Sequence, residues 1–228
     1  MPVRRVLIAE GTQPDRTLDE IARRAGEAGV DVARVPKRQL DAKSERGAHQ
    51  GVLAEAAPYP YASLDDVLKR AEGKKRSLVI ALDHITDPGN LGAIVRTAEV
   101  VGAEGVLVAK KRAAAVTPAA YKSSAGALAH VALAQEANLV RSLVRCKEAG
   151  FWVAGASEHA SQSVWDAELD GRIVLVMGSE GEGLARLTRE TCDFLVGLPQ
   201  AGKVGSLNVA QATTAIAYEW LRRGKAGA

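Results

Sequence analysis

Short apolar runs alternate with helical segments throughout residues 77–228. Runs rich in valine, isoleucine and leucine predict strands at residues 78–82, 105–108, 151–154, 173–177 and 194–198. Helices are predicted at residues 91–101, 139–149 and 209–223. Strands that are apolar along their whole length and alternate with helices are typical of a parallel sheet covered on both faces. The sequence therefore predicts an α/β domain here.

Residues 1–57 predict a smaller α/β unit. Strands are expected at residues 6–9, 30–35 and 51–56, and a polar, charged segment precedes the third. Between the first two strands, a capping box of Thr17 and Glu20 predicts the start of a helix. The stretch Ala-Pro-Tyr-Pro-Tyr at residues 57–61 interrupts the periodicity and indicates a linker. We therefore expect a linker at 58–76, with a short helix at 64–71, and a second domain at 77–228.

Composition limits the cellular setting and the mode of ligand recognition. No apolar run approaches the ~20 residues that span a bilayer, and the first apolar segment is too short for a signal peptide. The two cysteines have no paired spacing, so the sequence predicts neither a disulfide framework nor a zinc site. A cytoplasmic protein without metal is therefore expected. Aromatic residues are only 4% of the chain, so we do not expect nucleic acid to be bound by stacking of its bases on an aromatic platform.

The net charge of +3 leaves nucleic-acid binding open, because clustering of charge matters more than the total. Basic residues do cluster locally, at 37–46, 69–76 and 110–112. For any one cluster, a solvated loop or helix end is as good an interpretation as a contact with nucleic acid.

A turn sequence, Asp-Pro-Gly-Asn-Leu-Gly at residues 87–92, precedes one predicted helix. Asn90 is a natural N-cap for that helix. Arg96 then lies within a largely apolar helical segment. Such an arginine either serves a function or simply pairs with a carboxylate at the surface.

Two further loops each follow a predicted strand. The first, Gly-Ser-Glu-Gly-Glu-Gly at residues 178–183, does not match the dinucleotide pattern G-x-G-x-x-G, and Glu180 and Glu182 would repel a pyrophosphate. A cationic or neutral ligand, or simply a tight turn, fits it better. The second loop ends in Ser206 and Asn208, either of which can cap the last helix.

Together, the motif with Asn90 and Arg96, the loop at 178–183 and the segment Ser-Leu-Asn-Val-Ala at 206–210 resemble the three ordered motifs of the SpoU family. These are RNA ribose 2′-O-methyltransferases of the SPOUT class, and the resemblance covers roughly residues 77–223. It implies a catalytic domain with a deep C-terminal trefoil knot, and S-adenosylmethionine as methyl donor without a metal. It also implies a set of cofactor-binding residues, namely Gly178, Gly183, Leu198 and Leu207.

The resemblance also implies roles in catalysis. Arg96 acts on the ribose 2′-hydroxyl, either as the base or as a phosphate clamp that stabilises the alkoxide. Asn90 and Glu180 orient Arg96 and the ribose, while Ser206 and Asn208 hold the reacting groups near the methyl group. The assembly is expected to be a homodimer, and residues 216–221 of the last helix are a candidate part of its surface.

The first unit is similar to the small, ribosomal-protein-like RNA-binding domain that precedes the catalytic domain in ribosomal members of the family. Residues 46–52 resemble the segment that closes that domain. The additional helix that usually precedes its first strand is missing, which indicates either a start placed too late or a shortened domain. The candidate RNA-binding residues are Lys37, Arg38, Lys43, Arg46 and Arg96.

The RNA implied by the resemblance is a guanosine of large-subunit ribosomal RNA. A transfer-RNA ribose or an adenosine is the alternative target within the methyltransferase class. Outside that class, the alternatives are a non-catalytic RNA-binding or ribosome-assembly protein and a nucleotide-dependent oxidoreductase, which would bind NAD.

Overall fold

The computed structural model describes residues 3–13, 15–44, 49–203 and 205–226. The chain divides into two compact units, Met1–Pro60 and Tyr61–Ala228. Within these described residues, each unit has its own sheet, of three strands in the first and six in the second. No helix within these described ranges is long and apolar enough to cross a membrane.

The first unit is a small mixed sheet with two helices. Its strands are β1 (Val3–Ala9), β2 (Asp31–Val35) and β3 (Val52–Ala56), and its helices are α1 (Arg16–Glu27) and α2 (Lys37–Lys43). β1 lies in the centre, parallel to β2 and antiparallel to β3. Successive β1 residues enter two separate clusters, Ile8 with Ala25 of α1 and Leu7 with Leu40 of α2. The alternation of side chains along a strand thus gives this unit an apolar cluster on each face of the sheet.

α1 begins at a different cap from the predicted one. The side chain of Asp15 accepts a hydrogen bond from the backbone nitrogen of Thr17 at 2.5 Å, which makes Asp15 the N-cap. Glu20 instead accepts a hydrogen bond from Arg24 at 2.7 Å. The predicted capping box of Thr17 and Glu20 is therefore wrong, because an earlier carboxylate already satisfies the free amides of the first turn.

The second unit is built on a wholly parallel sheet. Its strands are β4 (Ser77–Leu82), β5 (Gly105–Ala109), β6 (Leu133–Glu136), β7 (Trp152–Ala156), β8 (Arg172–Met177) and β9 (Phe194–Val196). Their order is β6-β5-β4-β8-β7-β9, and every neighbouring pair is parallel. All residues of β4 are buried, so both faces of the sheet are covered there. The predicted α/β class with a parallel sheet is confirmed.

Among the described residues of this unit there are six α-helices: α3 (Leu64–Arg70), α4 (Pro88–Val100), α5 (Pro118–Ser124), α6 (Leu139–Glu148), α7 (Arg186–Thr191) and α8 (Val209–Ala226). α3 falls within the range 58–76, and its Leu64 and Val67 are buried in the core of the second unit. α4 packs closely on α5, since a Cβ on Gly92 would lie 2.3 Å from the carbonyl oxygen of Ala120. The second glycine of the first motif is therefore needed where two helices meet.

The sequence patterns do not predict β6, α2, α5 or α7. These elements contain 4, 7, 7 and 6 residues, and none of these segments shows a hydrophobic period clear enough to indicate a helix or strand. In the last helix, Ile216 and Trp220 are buried within the chain, and the Arg76 guanidinium lies 3.8 Å from the Trp220 ring centre. Ile216 and Trp220 are therefore unsuitable for the dimer surface suggested from the sequence.

Because the six strands run parallel, their carboxyl ends lie at one edge of the sheet. The loops that follow β4, β7, β8 and β9 all leave the sheet at this edge. Ligands of open α/β sheets bind at this edge, which is where the three motifs of the sequence meet.

Candidate active site

A cleft of about 270 Å³ lies at this carboxyl edge. Six of the predicted site residues line it: Gly178, Glu180, Gly183, Leu198, Ser206 and Leu207. Apolar side chains such as Val196 and Ile216 form another part of the lining. Apolar walls with a few convergent polar groups are typical of a site for a small organic ligand.

Beside the cleft, Asn90, Glu180 and Asn208 form one hydrogen-bonded network. Asn90 Nδ2 donates to Glu180 Oε1 at 3.1 Å, and Asn208 Nδ2 donates to the same oxygen at 2.6 Å. Asn208 Nδ2 also lies 3.0 Å from Asn90 Oδ1. The backbone nitrogen of Val209 is a third donor to Glu180 Oε1, at 3.3 Å. One carboxylate oxygen thus receives three donors, which hold the Glu180 side chain in a fixed orientation.

The starts of two helices position the asparagines of this network. Asn208 caps α8, because its Oδ1 accepts a hydrogen bond from the backbone nitrogen of Ala210 at 2.9 Å. The N-cap of α4 is Asp87, whose Oδ1 accepts from the backbone nitrogen of Asn90 at 2.7 Å. The prediction of Asn90 as the cap is wrong, because a proline starts the helix two residues earlier. The Asn90 side chain is therefore available to the network.

The loop between Gly178 and Gly183 closes on itself. The backbone nitrogen of Ser179 donates to the carbonyl of Gly183 at 3.1 Å, and the reverse bond measures 3.0 Å. A Cβ on Gly178 would lie 2.2 Å from the carbonyl carbon of Gly183, which itself has φ +65°. The glycine at 178 is thus required by the closure of its own loop.

Asp83, directly after β4, fixes this loop to the sheet. Its side chain is buried, and its Oδ2 accepts a hydrogen bond from the backbone nitrogen of Ala185 at 2.8 Å. Its backbone nitrogen donates to the carbonyl of Met177 at 2.8 Å. The loop is therefore attached to the end of β4 on both sides. A polar residue directly after a buried strand was the signal in the sequence that could have identified Asp83.

Arg96 lies on α4 but outside the network. It is exposed, and it follows Asn90 by six residues, which places the two about 120° apart around a helix axis. Within the described part of the chain, its guanidinium forms no ion pair or hydrogen bond. The structure thus brings Asn90, Glu180 and Asn208 together and leaves Arg96 free for an external ligand.

The other candidate RNA-binding residues belong to α2 of the first unit. Lys37, Arg38 and Lys43 are exposed on this helix. The Lys43 Nζ lies 2.5 Å from Glu55 Oε1, so its charge is partly neutralised. Arg46 lies outside the described residues.

Other residues line the cleft that the sequence analysis did not select. They lie in the loop after β7, on α7 and after β9, and include Ser157, Glu158, His159, Arg189 and Gln200. The loop after β7 follows a predicted strand, so its position at the carboxyl edge was a usable signal. Arg189 had no such signal in the sequence, because the sequence pattern did not indicate α7.

The cysteines do not contribute a nucleophile to the site. Burial raises the pKa of the Cys146 thiol to about 12 and that of Cys192 to about 11. Both thiols are thus protonated at neutral pH and unreactive. Among the described residues, no group of three or more His, Cys, Asp or Glu side chains is arranged to hold a metal ion.

Two family models match the chain. Residues 77–218 match the SpoU rRNA methylase family, and residues 1–62 match the RNA 2′-O ribose methyltransferase substrate-binding family. The chain belongs to the SpoU rRNA methylase family, and it is an RNA ribose 2′-O-methyltransferase. The family and enzyme class predicted from the three motifs are confirmed, and the oxidoreductase and non-catalytic alternatives are set aside.

Individual relatives agree with this assignment. The putative TrmH family tRNA/rRNA methyltransferase YacO of Bacillus subtilis is 43% identical over 87% of this chain and 80% of its own length. The 23S rRNA (guanosine-2′-O-)-methyltransferase RlmB of Pseudomonas putida is 41% identical over 97% of this chain and 89% of its own. One similar solved structure is that of the SpoU methyltransferase AviRb of Streptomyces viridochromogenes in complex with AdoMet. It matches this chain with a TM-score of 0.80 and 28% sequence identity, and the match covers 99% of this chain and 84% of AviRb.

Proposed function

We propose that this chain transfers a methyl group from S-adenosylmethionine to the ribose 2′-hydroxyl of a guanosine in large-subunit ribosomal RNA. Relatives named as 23S rRNA (guanosine-2′-O-)-methyltransferases support the RNA and the nucleotide. The observation that carries the proposal is the network of Asn90, Glu180 and Asn208 beside the cleft at the carboxyl edge of the sheet. Such a network can hold a ribose next to a bound methyl donor.

The cleft suits S-adenosylmethionine in its donor groups and in its charge. The backbone around Gly178, Leu198 and Leu207 would hold the adenosyl part, with Gly183 beside it. Glu180 and Glu182 attract a sulfonium cation, whereas they would repel a pyrophosphate. When bound, S-adenosylmethionine supplies an electrophilic methyl group. Its use by this family is supported by the complex of AviRb with AdoMet.

Arg96 is the group proposed to act on the ribose hydroxyl. A sugar hydroxyl is a poor nucleophile at neutral pH, so its proton must be removed or its developing negative charge must be stabilised. A guanidinium remains protonated in proteins, so clamping an RNA phosphate and stabilising the alkoxide is the simpler role for Arg96. Acting as the base is the alternative role. The absence of a partner for Arg96 within the described residues supports either one.

The network would position the ribose against the methyl donor. Glu180 uses Oε1 for its three donors, while Oε2 forms no hydrogen bond within the part of the chain that the structure describes. This second oxygen can accept a hydrogen bond from a ribose hydroxyl. Asn90 and Asn208 hold the carboxylate for that contact, and Ser206 in the cleft lining adds a hydroxyl near the reacting groups. Positioning of this kind lowers the barrier by several kcal/mol.

The first unit is proposed to bind RNA, with Lys37, Arg38, Lys43 and Arg46 as contacts to phosphate. The match of residues 1–62 to a substrate-binding family supports this. The proposed domains are an RNA-binding, ribosomal-protein-like domain at 1–57, a connecting segment at 58–76 and a methyltransferase domain at 77–228. Lys43 contributes less than the others, because Glu55 already pairs with it.

The C-terminal trefoil knot is part of the proposal. Asn208 follows the edge strand β9 in the sequence and bonds to Glu180, which follows β8 nearer the centre of the sheet. α8 then contacts α4, and Thr214 Oγ1 lies 2.8 Å from Thr97 Oγ1. This return toward the centre of the sheet is the segment that would pass through the knot.

We also propose a homodimer that acts in the cytoplasm. Tyr218 on α8, and Leu207 before it, are about half exposed, at 47% and 51%. Exposed apolar side chains of this size suit a subunit interface, and Leu207 also lines the cleft. Sedimentation at micromolar concentration tests this, and a fully active monomer would contradict it.

A transfer-RNA ribose is the second candidate target. It is favoured by relatives such as YacO, whose name covers both tRNA and rRNA. The two candidates share the reaction and the site and differ only in the RNA.

Mapping of 2′-O-methyl groups in RNA from a strain that lacks this gene separates the candidates. We expect one guanosine of the large-subunit RNA to lose its methyl group, and the wild-type gene but not an Arg96→Ala gene to restore it. Loss confined to a transfer RNA would establish the second candidate. Unchanged methylation in both RNAs would reject both.

A further inference from the structure

One part of the cleft lining carries ionisable side chains outside the Asn90–Glu180–Asn208 network. Glu158 and His159 lie in the loop after β7, and Arg189 lies on α7. Among the residues that the structure describes, Arg189 is the one lysine or arginine in the lining, whereas Glu158, Glu180 and Glu182 all line it. The cleft is thus rich in carboxylates with a single guanidinium to balance them.

Arg189 projects from a firmly held backbone. Its backbone nitrogen donates to the carbonyl of Ala185 at 2.9 Å, and Ala185 is itself held by the buried carboxylate of Asp83. The preceding residue, Thr188, is buried. The Arg189 guanidinium is exposed and forms no hydrogen bond or ion pair with any described residue. Its charge is therefore available to a ligand in the cleft.

We propose that Arg189 binds the α-carboxylate of the methionine part of S-adenosylmethionine. The inference rests on the proposed use of that cofactor. Its sulfonium and α-ammonium groups are cationic and suit the three glutamates, but its carboxylate would be repelled by them unless a cation meets it. The planar fork of an arginine matches a carboxylate with two parallel hydrogen bonds. Arg189, the one arginine among the described residues of the cleft lining, can supply this contact.

The same helix offers a matched control. Arg186 lies three residues before Arg189 but does not line the cleft, and its Nη1 lies 2.8 Å from Glu190 Oε1. Replacing either arginine by alanine removes one positive charge from the surface of α7. Only the change at 189 removes a charge from the cleft.

Calorimetric titration with two ligands tests the contact directly. Decarboxylated S-adenosylmethionine lacks only the α-carboxylate. We expect Arg189→Ala to weaken binding of S-adenosylmethionine by roughly tenfold or more, since a hydrogen bond between charged groups is lost. Binding of the decarboxylated ligand should stay within about twofold, because the lost partner is absent from it. Arg189→Lys should recover part of the affinity, and Arg186→Ala should change neither titration.

Three results would overturn the inference. Equal weakening for both ligands would show that Arg189 supports the shape of the cleft, and unchanged affinity for both would show no contact. Weaker RNA binding with unchanged cofactor binding would assign Arg189 to an RNA phosphate. The proposed RNA target is tested separately. If the titrations give the expected results but the wild-type protein does not methylate ribosomal RNA, the RNA target is rejected and the carboxylate contact is retained.

Discussion

The two units of the chain present their functional side chains in different ways. In the second unit, Asn90, Glu180 and Asn208 are joined by hydrogen bonds of 2.6–3.1 Å. In the first unit, Lys37 and Arg38 are exposed on α2 and pair with no other described residue. A preformed network suits the positioning of reacting atoms, whereas free basic side chains suit phosphates. Changes in the second unit should therefore lower the rate of methyl transfer, and changes in the first should lower RNA affinity.

The units also differ in how charge contributes to their stability. The ion pair of Arg5 and Asp31 in the first unit leaves 47% and 64% of the two side chains exposed. In the second unit, the Glu219 side chain on α8 is only 3% exposed and pairs with Arg222 and Arg223. Exposed pairs contribute little to folding, so we expect a stronger pH dependence of stability in the second unit.

Arg96→Ala should have the largest effect on activity. We expect turnover to fall by at least about a hundredfold, because a contact to the developing charge is lost, while cofactor affinity stays within a few-fold. Rates of labelled methyl transfer and calorimetry measure the two quantities. If Arg96 is a phosphate clamp, the Arg96→Lys variant should be nearly as inactive as Arg96→Ala. If Arg96 is the base, Arg96→Lys should keep an activity that rises with pH. Unchanged turnover in Arg96→Ala would contradict both roles. Glu99→Ala, an exposed change on the same helix, is the control.

Gly178→Ala should damage the cleft through the loop itself. The new Cβ would lie 2.2 Å from the carbonyl carbon of Gly183, so the loop must open. We expect a loss of about 2–3 kcal/mol in the free energy of unfolding, with weakened cofactor binding. Gly181→Ala is the control for stability, because its Cβ would meet no atom within 4 Å. Equal unfolding midpoints for the two variants in urea would refute this explanation.

A double change in the first unit, Lys37→Ala with Arg38→Ala, should act on RNA affinity alone. We expect affinity to fall about tenfold, and the slope of log affinity against log salt to fall by about 1.5, as two phosphate contacts disappear. The single-turnover rate at saturating RNA should not change. Arg23→Ala with Arg24→Ala removes the same charge from residues already paired with Glu20. If both double variants lose affinity equally, α2 has no special role.

The smallest expected effect concerns the buried carboxylate of α8. Hydrogen bonds from Arg222 and Arg223 lower the pKa of Glu219 to about 2 in the folded protein. Its stabilising contribution is therefore complete above the higher pKa of the unfolded chain and is lost as the pH falls through the folded value. Glu219→Gln should cost about 1 kcal/mol at pH 7, and the difference should shrink between about pH 4.5 and 2. Urea unfolding across this range tests it, and a constant difference would be the contrary result.

How much could be predicted from the sequence depended on whether a feature was local. Asn208 was predictable as a cap because the signal is a polar side chain next to the helix it starts. The meeting of Asn90 with Glu180 and Asn208 followed only from the family motifs, since it depends on β8 lying beside β4. The order of strands is set by crossover connections, which leave no periodic signal in the sequence.

Other features were invisible for identifiable physical reasons. The requirement for glycine at 178 arises from Gly183, which returns to it only when the loop closes. Arg189 reaches the cleft because α7, only six residues long, is tied to β4 through Asp83 and Ala185. Neither relation has a spacing that a sequence pattern would reveal.

The most direct test of the preformed network is the single-turnover rate of methyl transfer by Glu180→Gln, measured with saturating RNA and cofactor. The amide keeps the size of the side chain but removes the negative charge that accepts from Asn90, Asn208 and the backbone of Val209. We expect the rate at saturating cofactor to fall roughly thirtyfold, about 2 kcal/mol. A rate equal to that of the wild-type protein would show that the network does not position the ribose.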